Sequence, residues 1–147
     1  MLKMLKRVEV YLKFLNAYWI IKKSDLFFTQ YYLDSNPQVK QQGIDPIKHY
    51  LQYGSKQGMN PNPLFDDLWY YSEYPDIRDT GLNALTHYAS SGWKENRNPC
   101  VFFDTQAYTV QSDDLNNLKY CPLKHYLLYG IDQNRDWTCM HQYHGGN

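Results

Sequence analysis

The sequence predicts an all-α protein in which three tandem repeats of 38 residues follow one amphipathic helix. Three observations support this prediction. A set of residues recurs at a constant offset of 38, glycine and proline divide each repeat into short helices, and apolar residues stand three and four positions apart. No stretch alternates between apolar and polar residues for long enough to indicate a strand. A chain of 147 residues can form one compact unit.

The first predicted element is a basic amphipathic helix over residues 1–23. Its apolar positions follow the spacing of one helix face and are Leu5, Val8, Leu12, Leu15 and Trp19. Six basic residues and one acidic residue, Glu9, give this segment a net charge of about +5, although the whole chain is neutral. We expect the helix to pack on the repeats or on a partner, or to lie on an anionic membrane surface. The expected contact residues are Lys3, Lys6, Arg7, Lys13 and Trp19.

The repeats occupy residues 24–137, as 24–61, 62–99 and 100–137, and a flexible tail is predicted over 138–147. Each repeat contains a His-Tyr pair and a glycine five positions after the histidine. We expect these nine residues to have structural roles; they are His49, Tyr50, Gly54, His87, Tyr88, Gly92, His125, Tyr126 and Gly130. The third copy lacks the proline and glycine of the others, with Asp113 and Lys119 in their places. Such a copy is typical of the end of an array, and simple sequence decay gives the same pattern.

Three short helices are predicted in each repeat. In the second copy, Asp66 is suited to cap the first helix, and the residue before Pro75 ends it. Pro75 then opens a second helix that Gly81 ends in a left-handed conformation. A third helix from about Asn83 to Ser91 is expected to end at Gly92, also as a left-handed cap.

The histidines do not predict a catalytic or metal site. Stacked repeats hold equivalent residues on the order of 10 Å apart, too far to share a metal or a proton. We expect one ring nitrogen of each histidine to bond to a backbone carbonyl or to the next repeat. Suitable zinc ligands also occur near the end of the chain, namely Cys121, His125, Cys139, His141 and His144. They form no second compact pair and the other repeats lack the cysteine, so no metal, cofactor or catalytic residue is predicted.

The 15 tyrosines, 6 phenylalanines and 4 tryptophans are numerous for this length. Aromatic residues that recur with the repeat are expected in the core and between repeats. Non-periodic aromatic residues are the better candidates for an exposed face on which sugar rings stack, and they are Tyr53, Trp93, Tyr129 and Trp137.

The first repeat contains a recognisable series: Ser24-Asp25-Leu26-Phe27, Tyr31-Tyr32-Leu33, Asn36-Pro37-Gln38-Val39, Gly43-Ile44-Asp45-Pro46, His49-Tyr50-Leu51-Gln52-Tyr53-Gly54 and Asn60-Pro61-Asn62-Pro63-Leu64-Phe65-Asp66. It resembles the tandem repeats that accompany bacterial glycosyltransferases of capsule, O-antigen and rhamnan-type polysaccharide synthesis. The resemblance covers about residues 20–137 and is strongest in the first two copies. It implies a bacterial protein whose partner is a glycosyltransferase or a polysaccharide-assembly protein.

A nucleotide-sugar site needs a Rossmann-like unit, and only ten residues follow Trp137. We therefore expect a non-catalytic interaction or positioning module. Two alternatives stay open: a carbohydrate-binding module that uses exposed aromatic residues, and a glycosyltransferase fragment that is inactive alone. Zero net charge argues against nucleic acid as a partner. Three cysteines and no leader peptide predict a cytoplasmic location, with peripheral contact at the inner membrane through residues 1–23.

Overall fold

The structure is a computed structural model and describes residues 1–111, 120–133 and 135. These residues are mostly helical and include no strand, which confirms the all-α prediction. Two isolated bridges, Asn62 with Phe65 and Cys100 with Phe103, are the extended contacts in the described ranges. The predicted tail, Trp137, Cys139, His141, His144 and residues 112–119 lie outside the described residues, together with Asp113 and Lys119.

Residues 24–61, 62–99 and 100–137 are called here the first, second and third segments. The N-terminal helix α1 spans Leu2–Ser24 and ends at Asp25, whose φ of 58° is left-handed. In the first segment, α2 spans Thr29–Ser35, α3 spans Pro37–Gln42 and α4 spans Pro46–His49. The chain continues from α4 into a π-helical turn at Tyr50–Gly54 and a 3₁₀ turn at Ser55–Gln57.

The second segment contains α5 at Asp67–Glu73, α6 at Pro75–Thr80 and α7 at Ala84–Ser90, followed by a 3₁₀ turn at Gly92–Glu95. In the third segment, α8 spans Thr105–Val110 and α9 spans Pro122–His125, and a π-helical turn follows at Tyr126–Gly130. Three short α-helices thus occur in the same order in the first and second segments, whereas the turn that directly follows the last α-helix is π-helical in the first and third segments and 3₁₀ in the second.

Helix ends follow the local chemistry of the sequence. The carboxylate of Asp66 accepts a hydrogen bond from the Trp69 amide at 3.0 Å and opens α5, as predicted. Asp104 does the same for α8, accepting from the Ala107 amide at 2.7 Å. Gly81 ends α6 with a φ of 72°, which confirms the predicted left-handed cap.

Helix α1 rests on the rest of the chain through its second half. The Tyr18 hydroxyl donates to Asp45 Oδ2 at 3.0 Å, and Ile21 is buried. The same helix contacts α7, and Asp25 at its end forms an ion pair with Lys124 of α9 at 2.7 Å. Helix α1 therefore reaches the last described helix of each segment, while residues 1–13 are exposed.

Candidate functional site

A hydrogen bond between a tyrosine hydroxyl and a histidine Nδ1 occurs once in each segment. It joins Tyr32 to His49 at 2.9 Å, Tyr70 to His87 at 2.8 Å, and Tyr108 to His125 at 2.9 Å. The sequence predicts a backbone carbonyl or the next segment as the partner of each histidine, whereas the Nδ1 atoms of all three bond to a tyrosine of the same segment. The three tyrosines are buried, and a buried hydroxyl requires a partner, which the histidine of its own segment provides.

Glycine is required beside each of these pairs for steric reasons. A Cβ placed on Gly92 would lie 2.5 Å from Tyr70 Oη and 3.2 Å from His87 Nδ1. A Cβ on Gly130 would lie 2.7 Å from Tyr108 Oη, and one on Gly54 would overlap the hydroxyl of Tyr32. The left-handed conformation predicted for Gly92 is wrong, because positive φ occurs at Gly43, Gly58 and Gly81 among the described glycines.

Phenylalanine and tyrosine rings pack around each tyrosine–histidine pair, and we call the pair with these rings and the neighbouring glycine the aromatic cluster of its segment. In the second segment, the ring of Phe65 lies 5.4 Å from that of Tyr70 and 5.6 Å from that of Tyr88. The two tyrosine rings are 6.2 Å apart and meet edge to face at 88°. The corresponding tyrosines of the other segments meet at 90° and 87°. These periodic aromatic residues form the core, as the sequence predicted.

Neighbouring segments are joined at what we call the first joint (Tyr50 to Asp67) and the second joint (Tyr88 to Thr105). At the first joint, the Tyr50 hydroxyl donates to Asp67 Oδ1 at 2.6 Å. At the second, the hydroxyls of Tyr88 and Thr105 are 3.4 Å apart. An asparagine supports each joint: the Asp67 amide donates to Asn60 Oδ1 at 3.2 Å, and the Thr105 amide donates to Asn98 Oδ1 at 2.9 Å.

Asp67 is a buried carboxyl group with an incomplete set of partners. Its Oδ1 accepts from the hydroxyls of Tyr50 and Ser55, but its Oδ2 is buried without a hydrogen bond. Burial raises the pKa of Asp67 to about 7, and the two hydroxyl donors partly oppose that rise. Sequence analysis missed this group. The sequence feature that could have indicated it is the aspartate directly after the capping residue Asp66, because the third segment has Thr105 at the corresponding position.

The residues predicted for a sugar-binding face divide into two kinds. The side chains of Tyr53 and Tyr129 are 56% and 52% exposed, and their ring centroids lie 5.7 and 5.5 Å from those of His49 and His125. Trp93 is half-buried, and its indole nitrogen donates to the Ala89 carbonyl at 3.2 Å. The exposed candidates among the described residues are therefore the two tyrosines.

The predicted contact residues of α1 all lie at the surface. Lys3, Lys6, Arg7 and Lys13 are exposed, and Lys13 pairs with Glu9 at 2.6 Å. Trp19 is 50% exposed, with the Lys22 and Lys23 ammonium groups 5.1 and 5.9 Å from its ring.

Open clefts on the described surface include the following pair. One, of about 590 Å³, lies between α1 and Gln52, and its lining includes Lys6, Arg7 and Tyr11. The other, of about 340 Å³, lies at the meeting of the first and second segments. Leu68, Tyr71 and Leu82 form its apolar part, and Lys56 and Arg78 are the cations that line it. This second cleft suits an apolar side chain of a partner with an acidic group nearby.

Burial favours the neutral forms of His87 and of the Cys121 thiol. Burial lowers the pKa of His87, and the nearby Arg97 lowers it further. Burial also raises the pKa of the Cys121 thiol to about 11, which disfavours the nucleophilic thiolate. In the part of the chain that the structure describes, no group of three His, Cys, Asp or Glu side chains is placed to hold a metal ion.

Among the described helices, none combines the length and apolar character needed to cross a bilayer. Comparisons with protein-family models, with curated proteins and with solved structures found no match to this chain. The likeness to glycosyltransferase-associated repeats therefore stays a prediction from the residues themselves.

Proposed function

We propose that this chain is an array of three repeats of 38 residues that binds a partner protein and has no catalytic activity of its own. The observation that carries the proposal is the recurrence, at this offset, of the tyrosine–histidine hydrogen bond within the aromatic cluster. Repeats that contact their neighbours in one way form extended surfaces, and such surfaces commonly bind other proteins.

The use of the histidines supports a binding role over a catalytic one. Each histidine engages Nδ1 in a hydrogen bond inside its own segment, and His87 and His125 are buried. A general base needs to reach a proton on its substrate, whereas these rings hold the core together.

The partner class follows from the sequence resemblance. We propose a glycosyltransferase or another polysaccharide-assembly protein, in the bacterial cytoplasm or at the inner membrane. The cleft between the first and second segments is the expected contact, because Leu68 and Leu82 are 52% and 48% exposed there beside Lys56 and Arg78.

Affinity capture from the native cells with the full chain tests this proposal. We expect a glycosyltransferase or polysaccharide-assembly protein to be recovered by the unaltered chain, and recovery to fall with Leu68→Gln/Leu82→Gln. Val101→Gln/Val110→Gln is a matched control, since these residues are 58% and 67% exposed outside the cleft lining. Recovery of no such protein would refute the partner assignment. Glycosyl transfer by the purified chain would refute the non-catalytic role.

A second candidate function, glycan binding, is favoured by the exposed rings of Tyr53 and Tyr129. Calorimetric titration with the oligosaccharide units of the native surface polymer would detect it. Binding through these rings should be lost in Tyr53→Ala/Tyr129→Ala and kept in Tyr11→Ala, whose ring is 61% exposed on α1. Equal binding by all three proteins would exclude these two rings as the sugar platform.

A further inference from the structure

Helix α1 has an apolar face that the rest of the described chain leaves mostly exposed, with only Leu15 half-buried. Six residues form this face, which we call the outer stripe: Met4, Leu5, Val8, Leu12, Leu15 and Trp19. At about 100° per residue they share an arc of about 100°, and they extend for about 22 Å along the helix. Met4, Leu5, Val8 and Leu12 are 67%, 62%, 50% and 58% exposed, and Trp19 is 50% exposed.

The side of α1 that contacts the segments is a different one. Phe14, Tyr18 and Ile21 are its half-buried or buried members, and Tyr18 bonds to Asp45 at 3.0 Å. On the helical wheel these residues lie away from the outer stripe. The segments consequently lie mainly on another side of α1, and a flat surface can approach the exposed part of the stripe, which comprises Met4 to Leu12 and Trp19.

Charge identifies the surface that fits. Residues 1–23 contain Lys3, Lys6, Arg7, Lys13, Lys22 and Lys23 against Glu9 alone. Two copies of a helix with this positive charge repel each other, whereas an anionic lipid surface attracts the helix. Trp19 suits the interface between headgroups and acyl chains, and Lys22 and Lys23 are close to its ring at 5.1 and 5.9 Å.

We propose that α1 lies on the surface of an anionic lipid bilayer, with the outer stripe inserted among the headgroups and the segments held on the side away from the lipid. An apolar stripe and nearby basic residues both favour binding of a helix to an anionic lipid interface. The bilayer contact does not depend on the partner proposed for the segments.

Co-sedimentation of the full chain with vesicles tests this contact. We expect binding to vesicles of mixed phosphatidylglycerol and phosphatidylcholine, weak binding to pure phosphatidylcholine, and weaker binding as salt is added. Leu5→Gln/Leu12→Gln should weaken binding to the mixed vesicles about tenfold or more, because two inserted leucines are lost. Leu2→Gln/Val10→Gln should have little effect, although Leu2 and Val10 are 77% and 67% exposed, because both lie outside the stripe.

Unfolding midpoints of both double variants should match the unaltered chain, since all four positions are exposed. The proposal fails if the chain does not bind mixed vesicles at low salt, or if the two double variants weaken binding equally. Sedimentation without lipid tests the other occupant. A dimer that Leu5→Gln/Leu12→Gln dissociates would assign the stripe to a second copy of the chain and overturn the lipid assignment.

Discussion

The first and second joints have a tyrosine at the same repeat position, but the side chain that this tyrosine contacts differs between them. Tyr50 donates to the buried carboxyl of Asp67 at 2.6 Å, whereas Tyr88 faces the Thr105 hydroxyl at 3.4 Å. Both joints share the supporting asparagines and the backbone bonds from Phe28 to Pro61 at 2.9 Å and from Asp66 to Pro99 at 3.0 Å. They differ in the added bonds: Ser55 donates to Asp67 at the first joint, whereas the Thr105 hydroxyl donates to the Arg97 carbonyl at 2.8 Å at the second. A similar backbone thus accommodates either an ionisable carboxyl group or a neutral hydroxyl as the partner of the tyrosine, and of these two partners Asp67 is the one that titrates near neutral pH.

The largest expected difference between the joints is the pH dependence that Asp67 confers. Folded Asp67 keeps its proton up to a pKa of about 7, whereas the unfolded chain releases it near 3.8. Between these pH values the folded state binds more protons, so the free energy of unfolding falls as pH rises, by about 4 kcal/mol at most. Urea unfolding at a series of pH values measures this slope.

Asp67→Asn and Thr105→Val are the matched variants for that measurement. Asp67→Asn should remove the decrease in the free energy of unfolding with rising pH, whereas Thr105→Val should leave the slope of that decrease unchanged. Comparison with the unaltered chain is needed because His87, whose pKa is lowered by burial, acts in the opposite direction and costs stability as pH falls below its usual 6.5. The same slope in the chain with Asp67→Asn would show that Asp67 is not the group responsible.

Alanine at the cluster glycines should show that the clusters, unlike the joints, are equivalent. Gly54→Ala and Gly92→Ala each place a methyl group against a tyrosine hydroxyl, and overpacking of this kind costs about 1–3 kcal/mol. Gly43→Ala is the control, because its Cβ would meet nothing within 4 Å and only its φ of 62° disfavours alanine. Thermal unfolding of the three variants provides the comparison. A loss at Gly43 larger than at Gly92 would contradict the steric role of Gly92.

Removing the tyrosine hydroxyl should harm the first joint more than the second. Tyr50→Phe takes a donor from a buried carboxyl group that already has one unpartnered oxygen, and we expect a loss of about 2 kcal/mol at pH 8. Tyr88→Phe removes a long contact between two neutral hydroxyls and should cost about 1 kcal/mol or less. Equal losses in urea unfolding would mean that the two joints have the same strength.

The smallest predicted difference concerns the helix caps beside the joints. Asp104→Ala removes the bond to the Ala107 amide and should cost about 1 kcal/mol. Asp66→Ala should cost less at pH 8, because the charge of Asp66 also raises the pKa of Asp67 and its removal favours the ionised form. At pH 5, where folded Asp67 keeps its proton, the two variants should lose about the same free energy of unfolding.

Features set by neighbouring residues could be predicted from the sequence. Asp66 caps α5 and Gly81 ends α6 because both roles depend on a few adjacent positions. The periodic aromatic residues were assigned correctly to the core, since a regular offset points to equivalent packing. The contacts made by the recurring histidines and glycines could not be predicted. The histidine meets a tyrosine 17 residues earlier, and the steric need for Gly92 exists only once that pair is in place.

In the candidate site, too, the sequence predicted local features but not tertiary contacts. Tyr53 and Tyr129 occupy one repeat position, where the second copy has Ser91, and both are exposed, whereas Trp93 has no aromatic counterpart in the other copies and is half-buried. The doubled acid at Asp66 and Asp67 was visible, yet only tertiary structure brings Tyr50 and Ser55 to the second carboxyl group. The sequence pattern therefore identifies which residues recur and which differ between copies, and tertiary packing determines whether each one is exposed or buried.

The path of α1 has a consequence for the order in which the protein folds. Each tyrosine–histidine pair spans 17 residues, so the segments can form early at a small cost in loop entropy. The ion pair between Asp25 and Lys124 links the end of α1 to α9, and its closure needs the intervening segments in place. Docking of α1 is thus expected to be the last step, after the main folding barrier, and mutations in its second half should speed unfolding more than they slow folding.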